Sequence, residues 1–221
     1  MVRLSIAFEA GLPHPDGPVA ALHPDVGFDM MGLTDALIVQ PFFPVNIAWK
    51  NQGFACDVEL PTRRFSLAVV CCTRSKKETA DLIAQASAHA DIVVVDGQKI
   101  DGVDSHYKTL RKLVPVQGTI TKAHGRLFWF AGTDLCGLRA VDWNFEGFIT
   151  KAGVFSAGAV DQASLLLAEA LPDHLAGDVA DLGAGWGYLS SRILSRDGVT
   201  KLDVVEANFF ALECAKQNVK D

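Results

Sequence analysis

Residues 179–188 read VADLGAGWGY: a short apolar run, three glycines at alternate positions, then the start of a helical pattern that continues to about Ser195. An apolar run that feeds a helix through close-set glycines is a buried strand followed by a strand–helix turn, the unit of α/β folds with a mostly parallel sheet. Glycine has no Cβ, so a ligand can approach the backbone there, and the helix that follows offers oriented N–H groups. Dinucleotide sites use the spacing Gly-x-Gly-x-x-Gly. Here it is Gly183-x-Gly185-x-Gly187, with Asp181 two residues before the first glycine. A carboxylate at that position suits a ligand bearing a positive amino group better than a pyrophosphate. Glu206 closes the next apolar run, 202–205, where a carboxylate can accept both hydroxyls of a ribose. A ligand-free tight turn and a nicotinamide or flavin site are the alternatives.

Similar patterns extend along the chain of 221 residues. Strands are predicted at 65–71, 91–95, 116–121 and 126–130, the last two joined through Ala123-His124-Gly125, and helices at 76–89, 105–113, 162–171 and 209–219. Asp197-Gly198 is read as closing the helix that begins at Tyr188. The longest aliphatic stretch, 67–72, is far below the ~18–20 residues of a membrane span, and no apolar segment of secretory type follows Met1-Val2-Arg3. Five cysteines without a Cys-x-x-Cys spacing argue against a disulfide framework or a zinc cluster, so a reducing cytoplasm is expected and no metal. Adjacent Cys71 and Cys72 are read as core packing.

Charge is unevenly distributed. Residues 1–62 hold 2 Lys+Arg against 7 Asp+Glu, whereas residues 63–126 hold 11 against 6, so the total of −6 averages an acidic segment with a basic one. The basic span is either a set of solvated helix faces or a phosphate-facing surface.

The chain also repeats itself. VAALHPDVGF at 19–28 aligns with VADLGAGWGY at 179–188, and IVQPFFPVNIAWKNQ at 38–52 with VVEANFFALECAKQN at 204–218, in the same order at offsets of 160 and 166 residues. A duplicated α/β domain follows, its boundary between Phe130 and Lys151. In the first copy Ala21, His23 and Asp25 stand where the second has Asp181, Gly183 and Gly185; Gly27 stands opposite Gly187, and Gln40 opposite Glu206. The first copy has lost the features that would let a ligand approach.

On Asp181, Gly183, Gly185, Gly187 and Glu206 the chain resembles class I S-adenosylmethionine (SAM) dependent methyltransferases. Ala152-Gly153-Val154-Phe155-Ser156 and the following Asp161–Leu167 segment, DQASLLL, resemble the lead-in of ribosomal RNA guanine-N2 methyltransferases, and within them the methyltransferase C family that acts on the small subunit. That resemblance implies tandem Rossmann-like class I domains: a degenerate copy over residues 1–140, for recognition or scaffolding, and the first half of a SAM-binding copy over 151–221. It further implies that Asp181 helps to hold the methionine amino group and Glu206 the ribose, with Phe155 and Gln162 lining the pocket. The implied activity is methyl transfer to a guanine N2 of ribosomal RNA. The implied partner is ribosomal RNA or a ribosomal subunit, with no membrane. The family's acceptor motif, Asn-Pro-Pro-Phe, does not occur; Cys71-Cys72-Thr73-Arg74 replaces it in the first copy, so no catalytic residue is assigned and a truncated form of a longer enzyme is expected. A non-catalytic RNA-binding or assembly protein, and a methyltransferase acting on a small molecule or protein, are the rival readings.

Overall fold

The computed structural model describes residues 3–220, which form two compact units meeting between Ala140 and Val141. The first unit is built on seven strands: β1 (Val19–Leu22), β2 (Leu37–Val39), β3 (Ala55–Asp57), β4 (Phe65–Cys71), β5 (Ala90–Gln98), β6 (Gly118–Lys122) and β7 (Gly125–Ala131). Their order in the sheet is β3-β2-β1-β4-β5-β7-β6, with β1 to β5 parallel and β7 antiparallel to both its neighbours. Strand β4 is an almost unbroken apolar run because both faces of a parallel sheet are covered. Successive residues therefore serve opposite cores. Val70, Val95 and Phe128 pack with Ile83 and Leu110 from helices α3 (Lys76–His89) and α4 (Val103–Leu110). Val69, Val94 and Trp129 pack with Leu4 and Trp49 from α1 (Arg3–Glu9) and α2 (Phe43–Asn51).

Local chemistry sets the element ends. Ser75 accepts a hydrogen bond from the Glu78 amide and caps α3, which spans the residues that the sequence predicts. Helix α4 starts two residues earlier than expected, from the left-handed Gly102, and stops at Leu110. The β6–β7 turn is Ala123-His124 alone, both with positive φ, and Gly125 belongs to β7. A side chain at Gly125 would collide with the guanidinium of Arg3, so glycine stands there for close packing rather than for turning. Arg3 is buried and bidentate to Asp96, with Nε–Oδ1 2.6 Å and Nη2–Oδ2 3.0 Å, and its Nη1 donates to the Lys122 carbonyl. Between β1 and β2 the chain forms turns and no helix.

The second unit begins with a hairpin, β8 (Trp143–Phe145) and β9 (Phe148–Thr150), whose strands are too short to show a period in the sequence. It continues through α5 (Gln162–Ala170), β10 (His174–Leu182), α6 (Tyr188–Leu194), β11 (Asp197–Val205) and α7 (Phe209–Asn218). β10 and β11 are parallel and longer than expected, because pairing continues to His174 and Asp197 across register shifts at Gly177. Asp197-Gly198 thus opens a strand; α6 has already ended at Leu194, with Ser195 at its C-cap. Val154, Ala168, Trp186, Tyr188, Ala211 and Cys214 form the core of this unit. Cys71 and Cys214 are buried in their units' cores and Cys72 is partly buried against the first unit's core; all are free thiols. Among the described residues no helix is long and apolar enough to cross a membrane, and no group of three His, Cys, Asp or Glu side chains could hold a metal ion.

Candidate ligand-binding site at the glycine turn

Strand β10 delivers its last residues beside the end of β11, and the turn that follows is fastened to that neighbour. The amides of Gly183 and Ala184 both donate to the Val205 carbonyl, at 2.8 and 3.1 Å. One residue further, Glu206 uses both carboxylate oxygens on backbone amides: Oε2 accepts from Gly185 at 2.8 Å and Oε1 from Asn208 at 2.7 Å. Asn208 in turn caps α7, its Oδ1 accepting from Phe210 and Ala211. Asp181 is buried, and Oγ of the fully buried Ser190 donates to its Oδ2 at 2.7 Å. Asp181, Gly183, Gly185, Gly187 and Glu206 are therefore brought together around one turn.

The three glycines do different jobs. All have positive φ, of 79°, 57° and 90°, a region that side chains rarely adopt. A Cβ on Gly183 or Gly185 would meet nothing within 4 Å, so their faces are open to an approaching molecule. A Cβ on Gly187 would lie 2.7 Å from Val219 Cγ2 and 3.2 Å from Ala215 Cα. Gly187 lets α6 begin tight against α7.

Trp186, inside the turn, is 4% exposed and faces the hairpin, with ring centroids 5.6 Å from Phe145, 5.1 Å from Phe148 and 5.7 Å from Tyr188. It serves packing. Val154 joins the same core, which leaves the adjacent Phe155 70% exposed. Gln162 is exposed at the first turn of α5, behind the capping Asp161. Among the described residues the Gln162 carboxamide makes no hydrogen bond to the glycine turn, and the exposed Phe155 ring has no group that could.

No sequence pattern singles out Ser190 or Asn218. Ser190 lies nine residues beyond Asp181 on the buried face of α6, a weak signal in retrospect. Asn218 has no local signal: its side chain bonds Ile149 and Trp186, distant in sequence.

The corresponding turn of the first unit is closed. His23 donates its amide to Val39 at 2.8 Å, as Gly183 does to Val205, and keeps a positive φ of 54° despite carrying a side chain. The imidazole is buried beside Glu78, with Nδ1 3.6 Å from Oε1, and burial pulls its pKa from 6.5 down to about 4. Burial also raises the Glu78 carboxyl. Gln40 is buried, with Oε1 accepting from Phe42 and Nε2 donating to the Pro24 carbonyl, which also accepts from Trp49. The crevice between the ends of β1 and β4, where the direction of sheet progression reverses and where open α/β sheets receive ligands, is filled by the protein's own side chains.

The family model of the methyltransferase small domain matches residues 146–221. The ribosomal RNA small subunit methyltransferase C of Psychromonas ingrahamii is 28% identical over 173 residues, covering 71% of this chain and 49% of that protein. That of Buchnera aphidicola subsp. Acyrthosiphon pisum is 36% identical over 154 residues, covering 65% and 44%. The chain spans about half the length of the curated relatives it matches. Among solved structures, a 16S rRNA N2 methyltransferase of T. thermophilus in complex with AdoMet and guanosine superposes with a TM-score of 0.74 at 22% identity, covering 94% of this chain and 63% of that one.

Proposed function

We propose that this chain, which has the Rossmann-like fold of the class I methyltransferases and carries a methyltransferase small domain in its second unit, binds SAM at the glycine turn and belongs to an enzyme that methylates a guanine N2 of ribosomal RNA. The observation that carries the reading is the Glu206 carboxylate bonded to Gly185, which with Gly183 presents an open outer face. The residues present fit the cofactor: an acid at the end of each of two adjacent strands, and bare backbone between them. Glu206 accepts from ribose hydroxyls with its free lone pairs, since each oxygen takes only one amide. Asp181, oriented by Ser190, compensates the methionine ammonium. Gly183 and Gly185 admit the ligand to the backbone, Gly187 closes the turn, and Phe155 and Gln162 contribute an outer wall. SAM supplies an activated methyl group on a sulfonium, so the protein's task is chiefly to position the acceptor. A guanine N2 inside a helix is out of reach, and the base is therefore taken single-stranded or flipped.

The first unit is assigned a recognition or scaffold role. Its ligand crevice is filled, and Lys99, Lys108 and Arg126 gather around Asp104 within its basic span, Arg126 also stacking 4.3 Å from the Tyr107 ring. Such a grouping suits a phosphate backbone. Calorimetric titration of the chain with SAM tests the reading. Binding that disappears in Asp181→Ala/Glu206→Ala supports it, and affinity retained by that double variant refutes the site. Methylation of ribosomal subunits, against free nucleosides, tests the substrate.

A further inference from the structure

From three hydrogen bonds of one side chain, we infer that Asn218 is a positioning residue that holds the two walls of the cofactor cleft at a fixed separation. The inference rests on the proposed SAM site and goes beyond it, since Asn218 lies outside the glycine turn and the lead-in segment.

Asn218 is the last residue of α7 and is half-buried. Its carboxamide meets Ile149 twice, Oδ1 accepting from the Ile149 amide at 2.8 Å and Nδ2 donating to the Ile149 carbonyl at 2.8 Å. The side chain thus does for β9 what a neighbouring strand would do. The second Nδ2 hydrogen goes to the Trp186 carbonyl, also at 2.8 Å, in the middle of the glycine turn. Each end of this bridge leads to a wall of the proposed site. Ile149 is one residue from the end of β9, which runs directly into the 151–156 lead-in with its exposed Phe155. Trp186 lies between Gly185 and Gly187. Both glycines need a positive φ, and a turn of that kind keeps its shape only where its carbonyls and amides are held. Gly185 is held through its amide by Glu206, and Asn218 fixes the following carbonyl. A carboxamide is the group the position requires, because one acceptor and two donors are all used. Aspartate would face two carbonyls with negative charge, and alanine would leave three backbone groups without their partner.

The test compares Asn218→Ala and Asn218→Asp with the unaltered chain by calorimetric SAM titration, far-UV circular dichroism, thermal melting and the amide resonances of 15N-glycine-labelled protein. Leu212→Ala serves as a control. It trims a side chain of the same helix that lines a groove with Leu194 and Val204 and that bonds neither Ile149 nor Trp186. Both Asn218 variants should weaken SAM about tenfold or more, as loss of preorganisation does, and should move the resonances of Gly185 and Gly187. Leu212→Ala should lower the melting temperature while leaving affinity and those resonances in place. Asn218 variants that bind SAM as the unaltered chain does overturn the inference and leave the proposed function standing. So does a Leu212→Ala protein that loses as much affinity at an equal drop in melting temperature. An unaltered chain that binds no SAM overturns the proposed function, and with it the claim that Asn218 sets a cofactor cleft.

Discussion

Glu206 and Gln40 each accept a hydrogen bond from the amide two residues ahead, Asn208 at 2.7 Å and Phe42 at 3.1 Å, yet they meet the adjoining turn with opposite polarity. The second oxygen of Glu206 accepts from the Gly185 amide, whereas the nitrogen of Gln40 donates to the Pro24 carbonyl. Each side chain matches the backbone group presented to it. The acid is therefore tied to a turn that offers N–H groups, and the amide to one that has turned a carbonyl inward.

That pairing makes Glu206→Gln more than a loss of charge. The new NH2 would face the Gly185 amide, donor against donor, or its oxygen would have to leave Asn208. SAM affinity should fall by roughly tenfold or more, with little change in the melting temperature of the first unit. Titration calorimetry of the variant decides, and an affinity within a factor of two of the unaltered chain would count against the assignment.

Gly185→Ala and Gly187→Ala should separate binding from stability. Both place a side chain at positive φ, at a cost of about 1–2 kcal/mol. The Cβ added at Gly185 enters the open face, so binding should be lost while the fold survives. At Gly187 it would press on Val219 and Ala215, so the second unit should unfold more readily. Melting curves with and without SAM distinguish the two.

His23 should make the first unit sensitive to acid. Its pKa lies near 4 when folded and near 6.5 when unfolded, so between those values the unfolded chain binds the extra proton. The contribution is complete well above pH 6.5 and is lost as the pH falls toward 4, the loss reaching about 1–2 kcal/mol by pH 5.5. Glu78, raised by burial, acts in the opposite sense nearer its own ordinary range. His23→Asn keeps a residue that tolerates positive φ and should flatten the pH dependence of urea unfolding between pH 7 and 5.5. Equal slopes in the two proteins would be the negative result.

Arg3 and Asp96 form a buried pair, 1% and 4% exposed. Arg3→Met should cost about 3–5 kcal/mol, because Asp96 is left charged and unpartnered by a side chain, and Arg3→Met/Asp96→Leu should recover most of that. Urea unfolding of the single and double variants measures the difference. A double variant no more stable than the single one would show that the ion pair itself carries the stability.

How far these features are legible in the sequence depends on how local their causes are. α3 is legible end to end because its cap, Ser75, and its apolar spacing lie within its own residues. β4 is legible because burial on both faces makes it apolar throughout. The hairpin β8–β9 and strand β3 are three-residue strands, too short to show a period, and α1 depends on the pairing of Arg3 with a residue 93 positions away. The site divides in the same way. Asp181, the glycines and Glu206 sit at strand ends where the sequence pattern itself points. Asn218 acts on backbone groups at 149 and 186, and nothing in its neighbours' identities announces them.

The left-handed backbone at His23 carries a last consequence. It holds the same amide-to-carbonyl bond to its neighbouring strand as Gly183 does, without being a glycine. At this first residue the left-handed backbone accompanies the bond to the neighbouring strand and not glycine as such; beyond it the two turns part, since Gly185 and Gly187 have positive φ and Asp25 and Gly27 do not. Admitting a ligand to the first unit would therefore take more than trimming His23: the stretch from residue 25 to 36 would need rebuilding, because it forms turns where the second unit begins α6.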